Sequence, residues 1–371
     1  MPSVQDIINL MEELAPSRLA ESWDPVGLQV GRKDQPVRLI WVALDPLPEV
    51  VAAACDQHVD LLITHHPLLF QPVKNLDFNS PIGSILYQAA VHQLAVYSAH
   101  TNLDKVSGGL NDILAQRIGL ESVDVLAPEN DAESCKLVLY VPVDYEQQVL
   151  SALFQTSAGI IGAYSCCTFR NAGKGSFLPA GHARPFTGKP GEISHVDEVR
   201  IETLVRKKDI PAVVSHVRNH HPYQTMAFDV YPLSTVESGH GFGRTGTITI
   251  PMNLLQFAQA VKEKLCLSNI KISGKPDMMV RRAAVCSGSG SSLLNAFFAS
   301  AADVYVSGDL RYHDARAAES VGKALLDIGH FSSEHLMIEP VCDHLRRRIS
   351  SASWQIRVEA YHLEKDPFTM L

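Results

Sequence analysis

Short apolar runs alternate with helix-length segments through the first 130 residues, the pattern lapses, and it resumes at 237. Runs at 38–45, 61–64 and 94–99 read as strands, and 49–58, 81–93 and 109–118 as the helices that follow them. After the gap, 245–250, 282–286, 303–307 and 324–328 read as strands, with helices over 254–264 and from Leu293. Apolar runs of this kind predict βαβ units, an α/β fold and a mostly parallel sheet, in which ligands collect at the carboxyl ends of strands. Residues 131–236 have another rhythm. A strand-like run at 136–141 precedes a helix through Phe154 that Asp144 can cap. Two more strand-like stretches surround a Gly-rich section at 159–191, and a helix leads to a closing run at 227–231. That order, βαββαβ, predicts a ferredoxin-like α+β insert. The expected organisation is a core in two parts, 1–130 and 237–371, interrupted by a domain at 131–236.

Charge narrows the function classes. Of 32 basic and 40 acidic residues, ten of each lie in 131–236, so the net −8 belongs to the flanking segments. An acidic core argues against gripping phosphate backbones and makes nucleic acid an unexpected partner, whereas it suits metal cations. No apolar run approaches the roughly 18 residues of a spanning helix, so no membrane partner is expected. The first 14 residues read as an amphipathic helix carrying Asp6, Glu12 and Glu13 rather than as a leader. Seven cysteines without a C-x-x-C spacing read as reduced thiols of a cytoplasmic protein, excluding a cysteine-based zinc site.

The chemistry-bearing residues stand where strands end. His65 and His66 follow the run 61–64, and adjacent residues there point apart, which suits two metals, or one metal and a partner that orients a ligand, better than chelation of one ion. His100 follows the run 94–99, with Asp104 four residues on, and His330 follows 324–328, with Glu334 four residues on. Three strand ends thus present His65, His66, Asp104, His330 and Glu334 to one rim of a parallel sheet. Imidazole with carboxylate and no thiolate favours two divalent ions of Zn, Mn, Fe or Co. Glu334 is the expected bridge, with open positions left for an activated water.

Several stretches together resemble one family. They are Trp23-Asp-Pro-Val-Gly-Leu-Gln-Val-Gly31, Thr64-His-His-Pro67, His100-Thr-Asn-Leu-Asp104, Ser307-Gly-Asp-Leu-Arg-Tyr-His313-Asp and Gly329-His-Phe-Ser-Ser-Glu334. They are similar to the NIF-three-like family, often labelled GTP cyclohydrolase 1 type 2 homologue. The insert resembles that of the longer bacterial members, whose middle domain is similar to PII and CutA proteins. The resemblance implies a NIF-three-like core, a dinuclear site on the five residues above with Glu334 shared, and a toroidal homohexamer with its sites facing an interior cavity. Pro25 stands where such proteins usually have Asn, which removes a polar side chain there.

Other candidates are weaker. His313 and His100 are candidate general acids or bases, or partners that orient a ligand. Asp24 and Gln29 are candidates for the cavity lining, but Asp24 serves equally as a turn or cap residue. The turn Ser287-Gly-Ser-Gly-Ser-Ser292 resembles a phosphate cradle but lacks the P-loop ending, and a packing turn accounts for it as well. His220-His221-Pro222 repeats the letters of the first motif without a buried strand before it, and reads as a loop of the insert. Arg206-Lys-Lys208 reads as a solvated helix end.

The expected function is a metal-dependent hydrolase acting on a nucleotide-like or phosphorylated small molecule. Within that class, attack at C8 of guanine competes with phosphoester hydrolysis. The alternative is a metal-binding regulatory or scaffold protein with an effector-sensing insert and no turnover.

Overall fold

The computed structural model describes residues 1–128, 134–161, 164–233 and 239–369. The chain divides into two units: Met1–Glu129 with Gly239–Leu371, and Asn130–Ser238. The boundaries expected at 130/131 and 236/237 fall outside the described residues.

The first segment opens with α1 (Val4–Leu14), started by a capping box in which Ser3 and Asp6 bond each other's backbone N–H. It continues through β1 (Gly27–Val30), β2 (Leu39–Ala43), α2 (Pro48–Asp56), β3 (Leu61–Thr64), α3 (Pro81–Val91) and β4 (Ala95–Ser98). The short α4 (Thr101–Lys105), then α5 (Leu110–Ile118) and β5 (Leu120–Pro128), complete it. The insert holds β6 (Ser134–Pro142), α6 (Glu146–Leu153), β7 (Thr168–Phe177), β8 (Ser194–Arg206), α7 (Ile210–Arg218) and β9 (Phe228–Pro232). The last segment contains β10 (Gly241–Asn253), α8 (Leu254–Lys264), β11 (Lys271–Ser273), β12 (Met279–Ser289), α9 (Leu294–Ala299) and β13 (Val304–Gly308). It closes with α10 (Tyr312–Ser320), β14 (Ala324–Asp327), α11 (His330–Glu334), α12 (Ile338–Ser351) and β15 (Arg357–Ala360).

The larger unit is built on two sheets rather than one. The first has the order β1-β4-β3-β2-β15, parallel except for the edge strand β1. The second runs β11-β14-β13-β12-β10-β5, with β12, β13 and β14 parallel and the others antiparallel. Strands β3, β4, β13 and β14 are buried along their whole length, which is why they read as unbroken apolar runs. Strand β10 is longer than the run 245–250 suggested. Its alternation of buried and half-exposed positions is that of an antiparallel strand with one covered face.

In the insert, sheet order β7-β8-β6-β9 is antiparallel throughout, the ferredoxin-like arrangement expected from its βαββαβ sequence. Helices α6 and α7 lay Val149, Leu153, Val213 and Val217 on the sheet's inner residues Leu137, Leu139 and Ile201. Two local expectations fail. Asp144 lies in a 3-10 turn, Val143–Tyr145, and does not cap α6. Strand β7 runs inside the Gly-rich section rather than beside it, because its glycines sit on an exposed edge strand where little packing is lost. Among the described residues no helix is long and apolar enough to cross a membrane.

One buried cation fixes α4 and α5 to the second sheet. Arg244 of β10 is 2% exposed and gives Nε and Nη2 to the two carboxylate oxygens of Asp112 at 2.7 and 2.8 Å. Its remaining N–H groups reach the carbonyls of Gly241, Gly243 and Val106 at 2.7, 2.8 and 3.1 Å. A planar five-donor fork satisfied on every side cannot be replaced by a point charge. We expect Arg244→Ala to lower unfolding free energy by about 3–5 kcal/mol, because Asp112 and three carbonyls lose their partner. Arg244→Lys should recover little of it. Urea titration followed by far-UV circular dichroism checks both, and a loss below about 1 kcal/mol would contradict the assignment.

Candidate metal centre

Strand β3 ends at Thr64, and the next two N–H groups, of His65 and His66, both donate to Leu44 O at 3.1 Å. Backbone alternation then sends the two rings apart. His65 turns inward, fully buried, with Nδ1–H donating to Ala99 O at 2.9 Å. His66 gives Nδ1–H to Asp45 Oδ1 at 2.8 Å. On the second sheet, β14 leads through Gly329, at φ +83°, into α11. Residues four apart on a helix share a face, so His330 and Glu334 lie together. His330 Nδ1–H donates to Asp309 Oδ2 at 2.8 Å. The ligands expected along one sheet's rim therefore come from two sheets.

Each of these three imidazoles is held through Nδ1, which leaves Nε2 facing the common centre, the arrangement typical of metal-ligating histidines. Glu334 lies there almost wholly buried. Its Oε2 is 3.0 Å from Nε2 of both His66 and His330, and its Oε1 is 3.7 Å from His65 Nε2. Asp104, also buried, places Oδ1 3.8 Å from the same His65 nitrogen and accepts from Ser287 Oγ at 3.0 Å. Two groups have ligand atoms within 4.8 Å of one another: His65, His66 and His100, and His66, His330 and Glu334. His65 Nε2 is buried without a hydrogen-bond partner. A buried imidazole nitrogen left unsatisfied between two carboxylates fits a divalent cation. The cluster can hold a metal ion.

Without metal, charge in the cluster is carried by protons. Burial pushes the His66 imidazole down, but Asp45 and Glu334 outweigh it and raise it to about 10. Glu334, against burial and with help from Asp309, raises His330 to about 9. Burial alone would raise Glu334, yet His65, His330 and His66 hold it well below the usual carboxylate range. Asp104 is raised, because burial exceeds the attraction of His65.

His100 joins the cluster by its position. It stands at 5.0 and 5.4 Å, centre to centre, from the rings of His65 and His66, with Nδ1 3.1 Å from Asp24 Oδ1. Asp24 is thus a holder of His100 and Thr101 rather than a free cavity group. Gln29 is likewise occupied, by Pro25 O and by Leu69 N. His313 is exposed on α10 with its ring against Tyr312, and the structure does not gather it with the other histidines. In the serine- and glycine-rich turn, the N–H groups of Ser287 and Gly288 already serve Asn111 Oδ1 and Ser333 Oγ. That occupancy favours the packing turn over the phosphate cradle. His221 in the insert binds Tyr140 O through Nε2 and Tyr223 N through Nδ1, so both ring nitrogens are used locally. Asp45 and Asp309 were not assigned from sequence. Each follows the strand beside the one that leads into its histidine, β2 next to β3 and β13 next to β14.

Two outcomes follow from this geometry. Metal must displace the protons on His66 and His330, whose raised values keep them charged at pH 7.5. Cation affinity should therefore climb as pH rises toward about 9 to 10 and fall tenfold per displaced proton with each unit below. Calorimetry in buffers of different ionisation enthalpy measures the release, and none at pH 7.5 would refute the proton-filled cluster. Gly288, at φ +61°, lies where a Cβ would strike Glu334 Oε1. Gly288→Ala should cut metal affinity at least about tenfold while the circular dichroism spectrum stays unchanged, and unaltered equilibrium dialysis would contradict it.

Residues 2–367 match the family described as Duf34/NIF3 (NGG1p interacting factor 3). A Bacillus subtilis protein named "GTP cyclohydrolase 1 type 2 homolog" is 39% identical over 367 residues, covering 99% of this chain and 98% of the relative. A Mycobacterium leprae protein of the same name is 36% identical over 373 residues, covering 98% and 94%. Among solved structures, a Bacillus cereus protein related to NIF3 is 37% identical with a TM-score of 0.70, covering 100% and 99%. The Staphylococcus aureus protein SA1388 is 29% identical with a TM-score of 0.73 and the same coverage. With a family match across nearly its whole length, and full-length relatives above 30% identity, the chain belongs to the DUF34/NIF3 family.

Proposed function

We propose that the cluster holds two divalent cations bridged by Glu334, and that the protein is a metal-dependent hydrolase of a nucleotide-like or phosphorylated small molecule. The observation that carries the reading is the division of the Glu334 carboxylate. One oxygen faces His65, with Asp104 beyond it, and the other faces His66 and His330. Oxygen and imidazole donors without thiolate suit Zn, Mn, Fe or Co. Bound there, the cations would supply Lewis acidity and bring the ionisation of a water into the neutral range.

This chain's own residues supply the rest. Asp45, Asp309 and the Ala99 carbonyl hold the imidazoles in one tautomer, and Asp24 does the same for His100. His100 then presents Nε2 toward His65 and His66, where it serves as a further ligand or as a general base. A cavity of about 1050 Å³ reaches His66 and His330, ample for a nucleotide-sized molecule. The relatives' name adds guanine chemistry to the range of reactions, but the cavity's polar groups do not by themselves select that base. His313 would enter the chemistry only from a neighbouring copy or a moved helix. The proposal includes a homohexameric ring and a cytoplasmic setting, the latter in keeping with free cysteines among the described residues.

Elemental analysis of purified protein should give two cations per chain, and Glu334→Gln should lose at least one together with all turnover on a panel of nucleotides and phosphoesters. Sedimentation of the same sample should give six copies. If Glu334→Gln removes metal yet still restores growth of a strain lacking the protein, the scaffold reading replaces the enzyme.

A further inference from the structure

We propose that Glu364, in the segment after the last strand, is a positioning residue for the metal centre. Its carboxylate fixes the Leu44–Asp45 turn and, through Asp45, the direction in which His66 offers Nε2. The inference rests on the metal reading above and deepens it.

The connection is continuous in hydrogen bonds. Strand β15 lies parallel to β2, with Ala360 opposite Val42, and Tyr361 N extends the ladder to Val42 O at 2.8 Å. Three residues on, Glu364 caps the end of β2 with both oxygens, Oε2 accepting from Leu44 N at 2.8 Å and Oε1 from Asp45 N at 2.7 Å. The carbonyl between those two N–H groups, Leu44 O, is the one that accepts from His65 and His66. A single turn is thus held on one side by Glu364 and on the other by the histidine pair. Asp45 leaves that turn to bind His66 Nδ1.

Two N–H groups at a strand end need an acceptor once they are withdrawn from water, and a bidentate carboxylate satisfies both with charge-assisted bonds. The same carboxylate fixes the backbone at Asp45, so the Asp45 side chain can lie on one side only. Without it the turn is held only from the side of the histidine pair, its two N–H groups lose their acceptor, and the His66 imidazole inherits the freedom that Asp45 gains. Farther along the same segment, Asp366, Pro367, Phe368 and Thr369 line the cavity that reaches His66 and His330. Anchor and cavity wall therefore belong to one stretch of chain.

The test uses the full chain loaded with cobalt(II), whose visible spectrum reports ligand geometry without any turnover. Glu364→Gln should weaken cobalt binding about tenfold and change the visible bands, since partners behind a ligand commonly account for 10- to 100-fold in affinity. Asp45→Asn should do the same, and the double variant should lose little beyond either single one, because both act through one route. Glu359→Gln is the control. Glu359 accepts from Trp41 Nε1 at 3.0 Å on the same strand pair, and its removal should lower the melting temperature while leaving the bands as in wild type. If Glu364→Gln does not fold, Glu364→Asp, which can span only one of the two N–H groups, takes its place with the same expectation. Unchanged bands and affinity in a folded Glu364 variant, or full additivity with Asp45→Asn, overturn this inference alone. Wild-type protein that binds no cobalt, zinc or manganese overturns the metal reading and this inference with it.

Discussion

A carboxylate taken out of water has to be answered by positive charge, and Glu334 is answered from three directions. His65, His66 and His330 surround it, and their Nδ1 atoms are held by a carbonyl, Asp45 and Asp309. Each ring is thereby prevented from swinging away, at a place where a lone buried ion would carry a penalty of several kcal/mol. The neighbouring backbone has adapted to the same group. Gly288 passes so close to Glu334 that no side chain fits between them, and its N–H is taken up by Ser333. Cations and protons are thus alternative occupants of one electrostatic demand. That makes the cluster stable to build before metal arrives and sensitive to pH while it is being filled.

The two sheets meet that demand with the same local device. In the first, His66 follows β3 and its partner Asp45 follows the adjacent parallel strand β2. In the second, His330 follows β14 and Asp309 follows the adjacent parallel strand β13. Parallel neighbours in register end at the same level, Ala43 beside Thr64 and Ser307 beside Asp327, so the residues just beyond them come within hydrogen-bond reach. Glu334 joins the two halves. Helix α4 brings Asp104 to the remaining side, and Arg244 with Asp112 ties the α4–α5 region to the second sheet.

The strands with both faces buried could be read because their apolar runs are unbroken: 61–64 matches β3, and 324–328 overlaps β14 almost entirely. The histidines and carboxylates beyond them stood out for the same reason, as polar groups directly after such runs. The division into two sheets could not be read, because alternation of strands and helices says which elements are parallel but not which strands are neighbours. Asp45 and Asp309 do not stand out in the sequence, since an aspartate after a strand is ordinary turn chemistry until its partner is known. Glu364 carries no local signal at all: its partners are more than 300 residues away in the chain. The letters of the turn at 287–292 fit a phosphate cradle and a packing turn equally, and only folding separates the two, by assigning two of its backbone donors to Asn111 and Ser333.

Accessibility separates a merely structural cluster from one suited to chemistry. The His65 side chain is 0% exposed and that of Glu334 4%, while those of His66 and His330 are 26% and 36% exposed. A structural metal site encloses its ion with a full ligand set, whereas a catalytic site keeps a position for water or substrate. The cluster's side chains are sealed at the back and open at the front, toward the cavity walled in part by residues 366–369. If the cluster is filled as proposed, His66, His330 and one oxygen of Glu334 would hold the cation nearer the cavity, and His65, Asp104 and the other oxygen the deeper one. The outer position would then meet the substrate, while the deeper one would fix charge and geometry.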